Sequence, residues 1–457
     1  MGTHSCAPRS REHSPAGLFV SVMQDRESIK SILALNAFDP AAASGLDAAL
    51  AEQVRRRYRL HGSASVLFYE QPLEFVRGEG CWLYDAAGAA YLDAYNNVPS
   101  VGHCHPRVVA AAATQLGILN VHNRYLHGAT LAYAERLLAK VPPALTNITF
   151  TCTGSESNDL ALRLAAGFSG GTGVIVTEAA YHGNTALTTA VSPSSLMQPH
   201  TAPHVHVVPA PARPERFAAD VAAAIVDLER RGLRLSALLV DSIFSSDGVF
   251  ADPPGFLAEA VAHVHRAGGL LIADEVQCGF ARTGAAFWGY QRHGLEPDII
   301  TLGKPMGNGY PIGAVITRPE ILDALREREG YFNTFAGTPV AAAVGNAVLD
   351  VIEQEQLMAS AAHVGDYLRG KLRELAARHS ALAAVRGAGL FIGVDVRGPG
   401  APGRASALIN ALRERRVLIG AAGRSGESLK IRPPLCFSIA QADLLVAALE
   451  DALAASA

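Results

Sequence analysis

The chain has 457 residues, 49% of them hydrophobic and 18% charged, with a formal net charge of −3 and a pI near 6.6. That length fits one large domain plus a smaller one, and that composition is a globular enzyme's, not a disordered chain's. So small a charge supplies no field for nucleic acid or an acidic membrane surface, and no apolar run reaches the length of a membrane span.

Residues 1–30 lack the long apolar core and cleavage site of a secretory signal. Gly2 follows Met1, but Cys6 stands where a myristoylation pattern needs Ser or Thr. The sequence predicts a poorly ordered tail there, with Met23 as an alternative start. Residues 41–60 form an amphipathic pattern ending in Arg55, Arg56 and Arg57, read as a solvated helix face. From Leu67 to Asn97, short alternating segments with turn signals predict a small meander of strands. Gly102-His103-Cys104-His105-Pro106 then breaks the chain before a helix over 107–116. Two histidines around a cysteine invite a metal reading, but no further His/Cys cluster completes a site, so a turn is preferred. The six cysteines are scattered without CxxC spacing. Reduced thiols in a cytoplasmic protein, with no metal, are the expectation.

Between Asn147 and Thr317 strand and helix patterns alternate: NITFTC and a helix from Ser157, GVIVTE and a helix over YHGNTALTTA, SALLVDSI and PPGFLAEAVAHVHRAG. LLIA (270–273), DIITLG (298–303) and PIGAVIT follow as strands. This alternation predicts an α/β fold, a mostly parallel sheet flanked by helices. After Pro339 the chain reads as helical through about Arg378. Then come VRGAGLFIGVDV, a helix near 405–415, LKIRPPLCF and a final helix, a second α/β lobe that the segment before His103 joins. The expected division is a tail (1–30), the N-terminal part of a small domain (31–105), a large domain (106–345) and the rest of the small domain (346–457).

Strand LLIA ends in Asp274 and strand DIITLG in Lys304. In an open α/β sheet the ligand crevice lies outside the carboxyl ends of the strands, so an acid and an amine there face one pocket. Pyridoxal phosphate suits that pair, since it is held as a Schiff base to a lysine with a carboxylate partner for its ring nitrogen. Upstream, Thr153-Gly154-Ser155-Glu156-Ser157-Asn158 places a Gly-Ser pair at a helix N-terminus, where an anion is favoured, although Ser is also an ordinary N-cap. Tyr181-His182-Gly183 follows another strand; the tyrosine suits stacking on a cofactor ring or simple core packing.

These motifs, with Asp-Glu-Val-Gln (274–277), Leu-Gly-Lys (302–304) and Asn-Thr-Phe-Ala-Gly-Thr-Pro (333–339), occur in the order and approximate spacing of the class III aminotransferases. The chain resembles that family over nearly all of 67–453. The resemblance implies a fold type I pyridoxal-phosphate enzyme acting on a small-molecule amine, working as a homodimer or homotetramer. It implies that Lys304 carries the cofactor and acts as general base, that Asp274 pairs with the pyridine nitrogen, and that Gln277 approaches the ring hydroxyl. It further implies that Gly154 and Ser155 hold the phosphate, that Tyr181, next to His182, stacks on the ring, and that Thr334 reaches the phosphate in the neighbouring subunit.

Within the class, the segments 91–98, 101–106, 123–127, 303–309, 389–395 and 429–437 are similar to those of ethanolamine-phosphate and phosphohydroxylysine phospho-lyases, which release phosphate, ammonia and an aldehyde. Many class III aminotransferases place an arginine before the Pro-Pro segment to bind a substrate carboxylate; here that position is Lys430, with Arg432 two residues on. A lysine binds as a point charge and suits phosphate. Another departure cuts the other way: where the class usually has Glu and, three residues later, Gln, this chain has Asp241 and Phe244, while the phospho-lyases retain more of that pattern, so a substrate pocket different from theirs is expected. Arg124 and Lys430 are candidates for a substrate anion site or for structural ion pairs. The segment likeness and Lys430 point to a phospho-lyase on a phosphorylated amine such as O-phosphoethanolamine, with an ω-amine:keto acid aminotransferase as the alternative. A transcriptional regulator with a sensor domain of this kind would need a helix-turn-helix that the first 60 or so residues lack.

Overall fold

The computed structural model describes residue 31 and residues 34–196 and 202–455. The expected tail over 1–30, with Met23 and Cys6, lies outside them. In chain order the elements are α1 (Ala48–His61), β1 (Phe75–Glu79), β2 (Trp82–Asp85), β3 (Ala90–Asp93), α2 (Pro106–Leu116) and α3 (Gly128–Leu138). Next come β4 (Asn147–Thr151), α4 (Gly154–Ser169), β5 (Gly173–Thr177), α5 (Ala186–Ala190), β6 (Val205–Val208), α6 (Pro214–Arg230) and β7 (Leu235–Val240). After these run α7 (Ala258–Arg266), β8 (Leu270–Asp274), β9 (Ile299–Leu302), β10 (Gly313–Thr317), α8 (Pro319–Arg326), α9 (Pro339–Gln354) and α10 (Leu357–Arg378). The chain closes with β11 (Leu382–Ala388), β12 (Phe391–Val396), α11 (Ala401–Glu414), β13 (Val417–Leu418), β14 (Gly420–Ala422), β15 (Ser428–Ile431) and α12 (Ile439–Ala455).

The seven-stranded sheet has the order β4-β10-β9-β8-β7-β5-β6. Every pair among its last five strands is parallel, while β10 runs antiparallel to both β4 and β9. Strands β5, β7, β8 and β9 are buried at every residue, as a parallel sheet covered on both faces requires. The meander β1-β2-β3 is antiparallel and is extended by β13, whose Val417 pairs with Leu92 in parallel. A chain segment more than 300 residues downstream thus completes the N-terminal sheet. The remaining sheet, β11-β12-β15-β14, carries Lys430 on its third strand.

Three local readings need correction. The first helix of the large sheet begins at Gly154, not Ser157, because Thr153 is its N-cap: extended at φ −146°, its side chain accepts the Glu156 N–H. Residues 181–184 are not helical; Thr185 caps the five-residue α5 through a reciprocal pair of bonds with Thr188. Strand β6 and helix α6 form where no element was predicted. The β6 strand is an edge strand of only four residues, with its two middle residues half-buried, so its apolar signal is weak.

Candidate active site

The carboxyl ends of the parallel strands meet the N-terminus of α4. Gly303, after β9, lies so close to that helix that a Cβ there would stand 3.0 Å from the Gly154 backbone. Gly183 faces the same turn with φ +139°, and a Cβ would come within 2.7 Å of Ser155 Oγ. Neither position accepts a side chain. The result is a cavity of about 280 Å³ lined by Gly154, Ser155, Tyr181, His182, Asp241, Asp274, Gln277 and Lys304, among others. A helix leaves its first N–H groups without intrahelical partners, and those of Gly154 and Ser155 are at this wall.

Asp274 is held by a ring of buried hydrogen bonds. Its Oδ2 accepts from Asn158 Nδ2 at 2.9 Å and lies 2.7 Å from His182 Nδ1, and its Oδ1 accepts from the Val276 N–H at 3.0 Å. Asn158 also donates to the His182 carbonyl and accepts from Thr301 Oγ1 at 2.7 Å. Sequence reasoning quoted Asn158 without giving it a role; its position four residues after Gly154, on the same helix face, was the available signal. Asn158→Ala is expected to lower the melting temperature, with a cost of about 1–3 kcal/mol for the buried groups it strands, and thermal denaturation checks this. Glu275 turns away from the cavity. Its carboxylate accepts the Gly289 and Tyr290 N–H groups and the Ser242 hydroxyl, and burial pushes its pKa up to about 7.

Lys304 lines this cavity and a second one of about 290 Å³; Tyr181 and Gln277 line both. Burial first, and the Arg432 charge next, bring the Lys304 pKa down to about 8. In cofactor-free protein its reaction with an aldehyde reagent should therefore rise with pH and level off above about 8, and Arg432→Gln should move that midpoint upward. The sign for stability follows: the unfolded lysine binds more protons between about 8 and 10.5, so stability gains from this residue as pH rises through that window.

The second cavity has an apolar and aromatic wall that includes Leu35, Phe68, Tyr69, Tyr95 and Ile419, and two further cations, Lys430 and Arg432. Among the described residues, no Asp or Glu lines it. Lys430 is only 4% exposed and, among the described residues, has no ion pair; its Nζ lies 5.6 Å from the Phe391 ring centroid. Burial, then the charges of Arg432 and Lys304, hold its pKa well below the usual lysine value, against opposing contributions from Asp241 and Asp247. Arg432 donates to Asn97 Oδ1 at 3.0 Å and to Gln277 Oε1, and packs over Tyr95. Gln277 in turn donates to Ser245 Oγ at 2.6 Å. Phe244 packs into the core against Phe217 and Phe256, which is why a polar residue is absent there.

Arg124 and Thr334 do not join either cavity of their own chain. Arg124 lies over the Phe332 ring at 3.8 Å, and Thr334 is exposed beside Phe335. The two histidines around Cys104 diverge, His103 to Asp93 at 2.6 Å and His105 to Glu355 at 3.0 Å.

The donor set fits pyridoxal phosphate. It has a glycine-lined cradle at a helix N-terminus, a fixed carboxylate, a flat aromatic and a lysine of lowered basicity around one cavity. His182 Nε2 is buried without a hydrogen-bond partner among the described residues.

Comparison with known proteins agrees. The family model for aminotransferase class-III matches residues 68–453. A Drosophila melanogaster relative named alanine–glyoxylate aminotransferase 2-like is 38% identical over 88% of this chain and 87% of its own length. Ethanolamine-phosphate phospho-lyase homolog 1 of Caenorhabditis elegans is 36% identical over 87% of this chain and 92% of its own. Among solved structures, a phospholyase from Arthrobacter in complex with phosphoethanolamine matches with a TM-score of 0.84 and 44% identity, covering 88% of this chain and 99% of that one. Residues 68–453 thus carry both the family's sequence pattern and its fold, and the chain belongs to the class-III aminotransferases.

Proposed function

We propose that this enzyme uses pyridoxal phosphate to eliminate phosphate from a phosphorylated primary amine such as O-phosphoethanolamine, releasing ammonia and an aldehyde. The observation that carries this reading is Lys430: a buried amine that, among the described residues, has no ion-pair partner, beside Arg432, in a cavity that Lys304 also lines. Burial disfavours its charged form, and an anionic ligand bound beside it would supply the counter-ion that favours protonation. The phospho-lyase relatives support the same substrate class.

Gly154, Ser155 and the α4 N-terminus would hold the cofactor phosphate, Asp274 its ring nitrogen, Gln277 its ring hydroxyl, and Tyr181, next to His182, its face. Bound there, the cofactor supplies an electron sink for the carbon that bears the amine. Lys304 Nζ takes the proton from that carbon as general base, its lowered pKa making the free amine far more abundant near neutral pH than in an ordinary lysine. Lys430 and Arg432 bind the substrate phosphate and carry its charge as the bond to the neighbouring carbon breaks. The aromatic wall of Phe68, Tyr69 and Tyr95 excludes water from that bond.

The same reading makes residues 106–345 the cofactor-binding unit and joins 31–105 to 346–457 in the smaller one, supported by the β3–β13 pairing. It also makes the working unit a homodimer or larger. Leu126 is 94% exposed and Phe335 75%, an apolar face beside Thr334 and Arg124 that a second copy would cover, bringing Thr334 to its partner's cofactor and Arg124 to its substrate mouth. Size-exclusion chromatography with light scattering should show twice the chain mass or more. The five free cysteines among the described residues fit the expected reducing cytoplasm, and no described helix is long and apolar enough to cross a membrane.

The deciding experiment incubates cofactor-loaded enzyme with O-phosphoethanolamine and no keto acid. Equal, sustained release of phosphate and ammonia is the expected outcome. New amino acid formed only when a keto acid is added, with no phosphate release, would replace this reading by the aminotransferase one.

A further inference from the structure

The sulfur atoms of Cys81 and Cys436 lie 3.4 Å apart, although 355 residues separate them in the chain. Cys81 is buried between β1 and β2; Cys436 is half-buried, five residues after the end of β15. Neither lines the catalytic cavities. Both are held by neighbouring backbone. The Cys81 carbonyl accepts from the Asp93 N–H at 2.8 Å, and Leu435 donates to the Ser100 carbonyl at 2.8 Å. Small residues surround the pair: a Cβ at Gly102 would stand 2.9 Å from Cys436 Sγ and 3.1 Å from the Gly80 Cα. Only glycine at 102 lets the segments pack this closely around the sulfurs. A disulfide requires about 2.05 Å between them, a closure of roughly 1.4 Å from the observed contact.

We propose that Cys81 and Cys436 are a redox-active dithiol that closes to a disulfide under a peroxide oxidant, fastening the N-terminal meander to the C-terminal segment that follows Lys430 and Arg432. Exposure assigns the roles: Cys81 is buried, whereas Cys436 is half-buried and the sulfur that a peroxide can reach. The contact between the sulfurs favours the Cys436 thiolate in the same sense. Cys436 is thus the attacking thiolate. Its sulfur takes one oxygen from hydrogen peroxide, giving a sulfenic acid and hydroxide. The Cys81 sulfur then attacks the Cys436 sulfur, the S–O bond breaks, and water leaves with the thiol proton. In sum two thiols and one peroxide give one disulfide and two waters.

The cross-linked segment connects to the active site through hydrogen bonds. Arg432 donates its N–H to the Ala94 carbonyl at 2.9 Å, and Ser100, which receives the Leu435 N–H, donates its hydroxyl to the Pro305 carbonyl at 2.9 Å, next to Lys304. A bond closing a loop of this length constrains the unfolded chain strongly. The expected signature is therefore a more stable protein, read independently of which amine the enzyme turns over.

The test treats fully reduced holoenzyme with one equivalent of hydrogen peroxide, traps remaining thiols with an alkylating agent, and maps peptides without reduction. The expected result is a Cys81–Cys436 linked peptide, a melting temperature several degrees higher, and reversal of both by dithiothreitol. Cys81→Ala and Cys436→Ser should each lose the link and the shift while keeping amine turnover. Recovery of Cys81 and Cys436 as alkylated thiols would overturn the proposal. So would a linkage to the exposed Cys104, or an unchanged melting temperature in the linked protein. The wild-type mapping stands even if a variant fails to fold.

Discussion

Lys304→Ala is expected to reduce turnover by at least about 10³-fold, the scale of a lost general base that is also the cofactor's attachment point. The visible absorbance of lysine-linked cofactor should vanish at the same time. The fold should survive, because the lysine sits in a short turn after β9 and makes no hydrogen bond on which the sheet depends. Removing a buried amine whose charge is disfavoured should leave the melting temperature of cofactor-free protein unchanged or higher. Circular dichroism, absorbance and phosphate release on one preparation check all three. A variant with normal turnover would sink the assignment of the cofactor site.

Lys430→Met should separate function from stability. A charge-assisted contact to a phosphate is worth about 2–3 kcal/mol, so kcat/KM for a phosphorylated amine should fall about 30- to 200-fold. Stability should hold or rise, because methionine keeps the volume and removes a buried amine whose charged form burial, Arg432 and Lys304 all disfavour. A structural lysine predicts the reverse: lower melting temperature and unchanged kcat/KM. Running an unphosphorylated amine in parallel shows whether the loss belongs to the anion, since that substrate should lose little.

Much of the large sheet was legible because parallel strands buried on both faces are short apolar runs, and β5, β7, β8 and β9 are that kind of strand. The α4 start was misplaced by three residues because Thr153, Ser155 and Ser157 are all plausible caps; only the extended backbone of Thr153 distinguishes them. The Tyr-His-Gly stretch looked helical by its neighbours, yet Gly183 is needed at φ +139° to pass Ser155, and that conformation ends any helix. Strand β10 was found, but its antiparallel direction depends on the path of the turn after Lys304.

The sequence by itself determined the family and the parallel α/β core and named Asp274 and Lys304, which line one cavity, because strand ends and motif order are local properties that survive without coordinates. The tertiary structure decided the rest. Asn158 became the residue that fixes Asp274 because a helix brings it over the end of β8. Lys430 became a buried amine with no ion pair among the described residues because the segments that pack around it bring Ser246 and Arg432, and no acid, to its cavity. Arg124 fell outside its own chain's cavities, and Cys81 met Cys436 across the whole length of the chain. Whether a charge finds a counter-ion, or two sulfurs meet, depends on which distant segments pack together, and residue types at a given spacing carry no record of that.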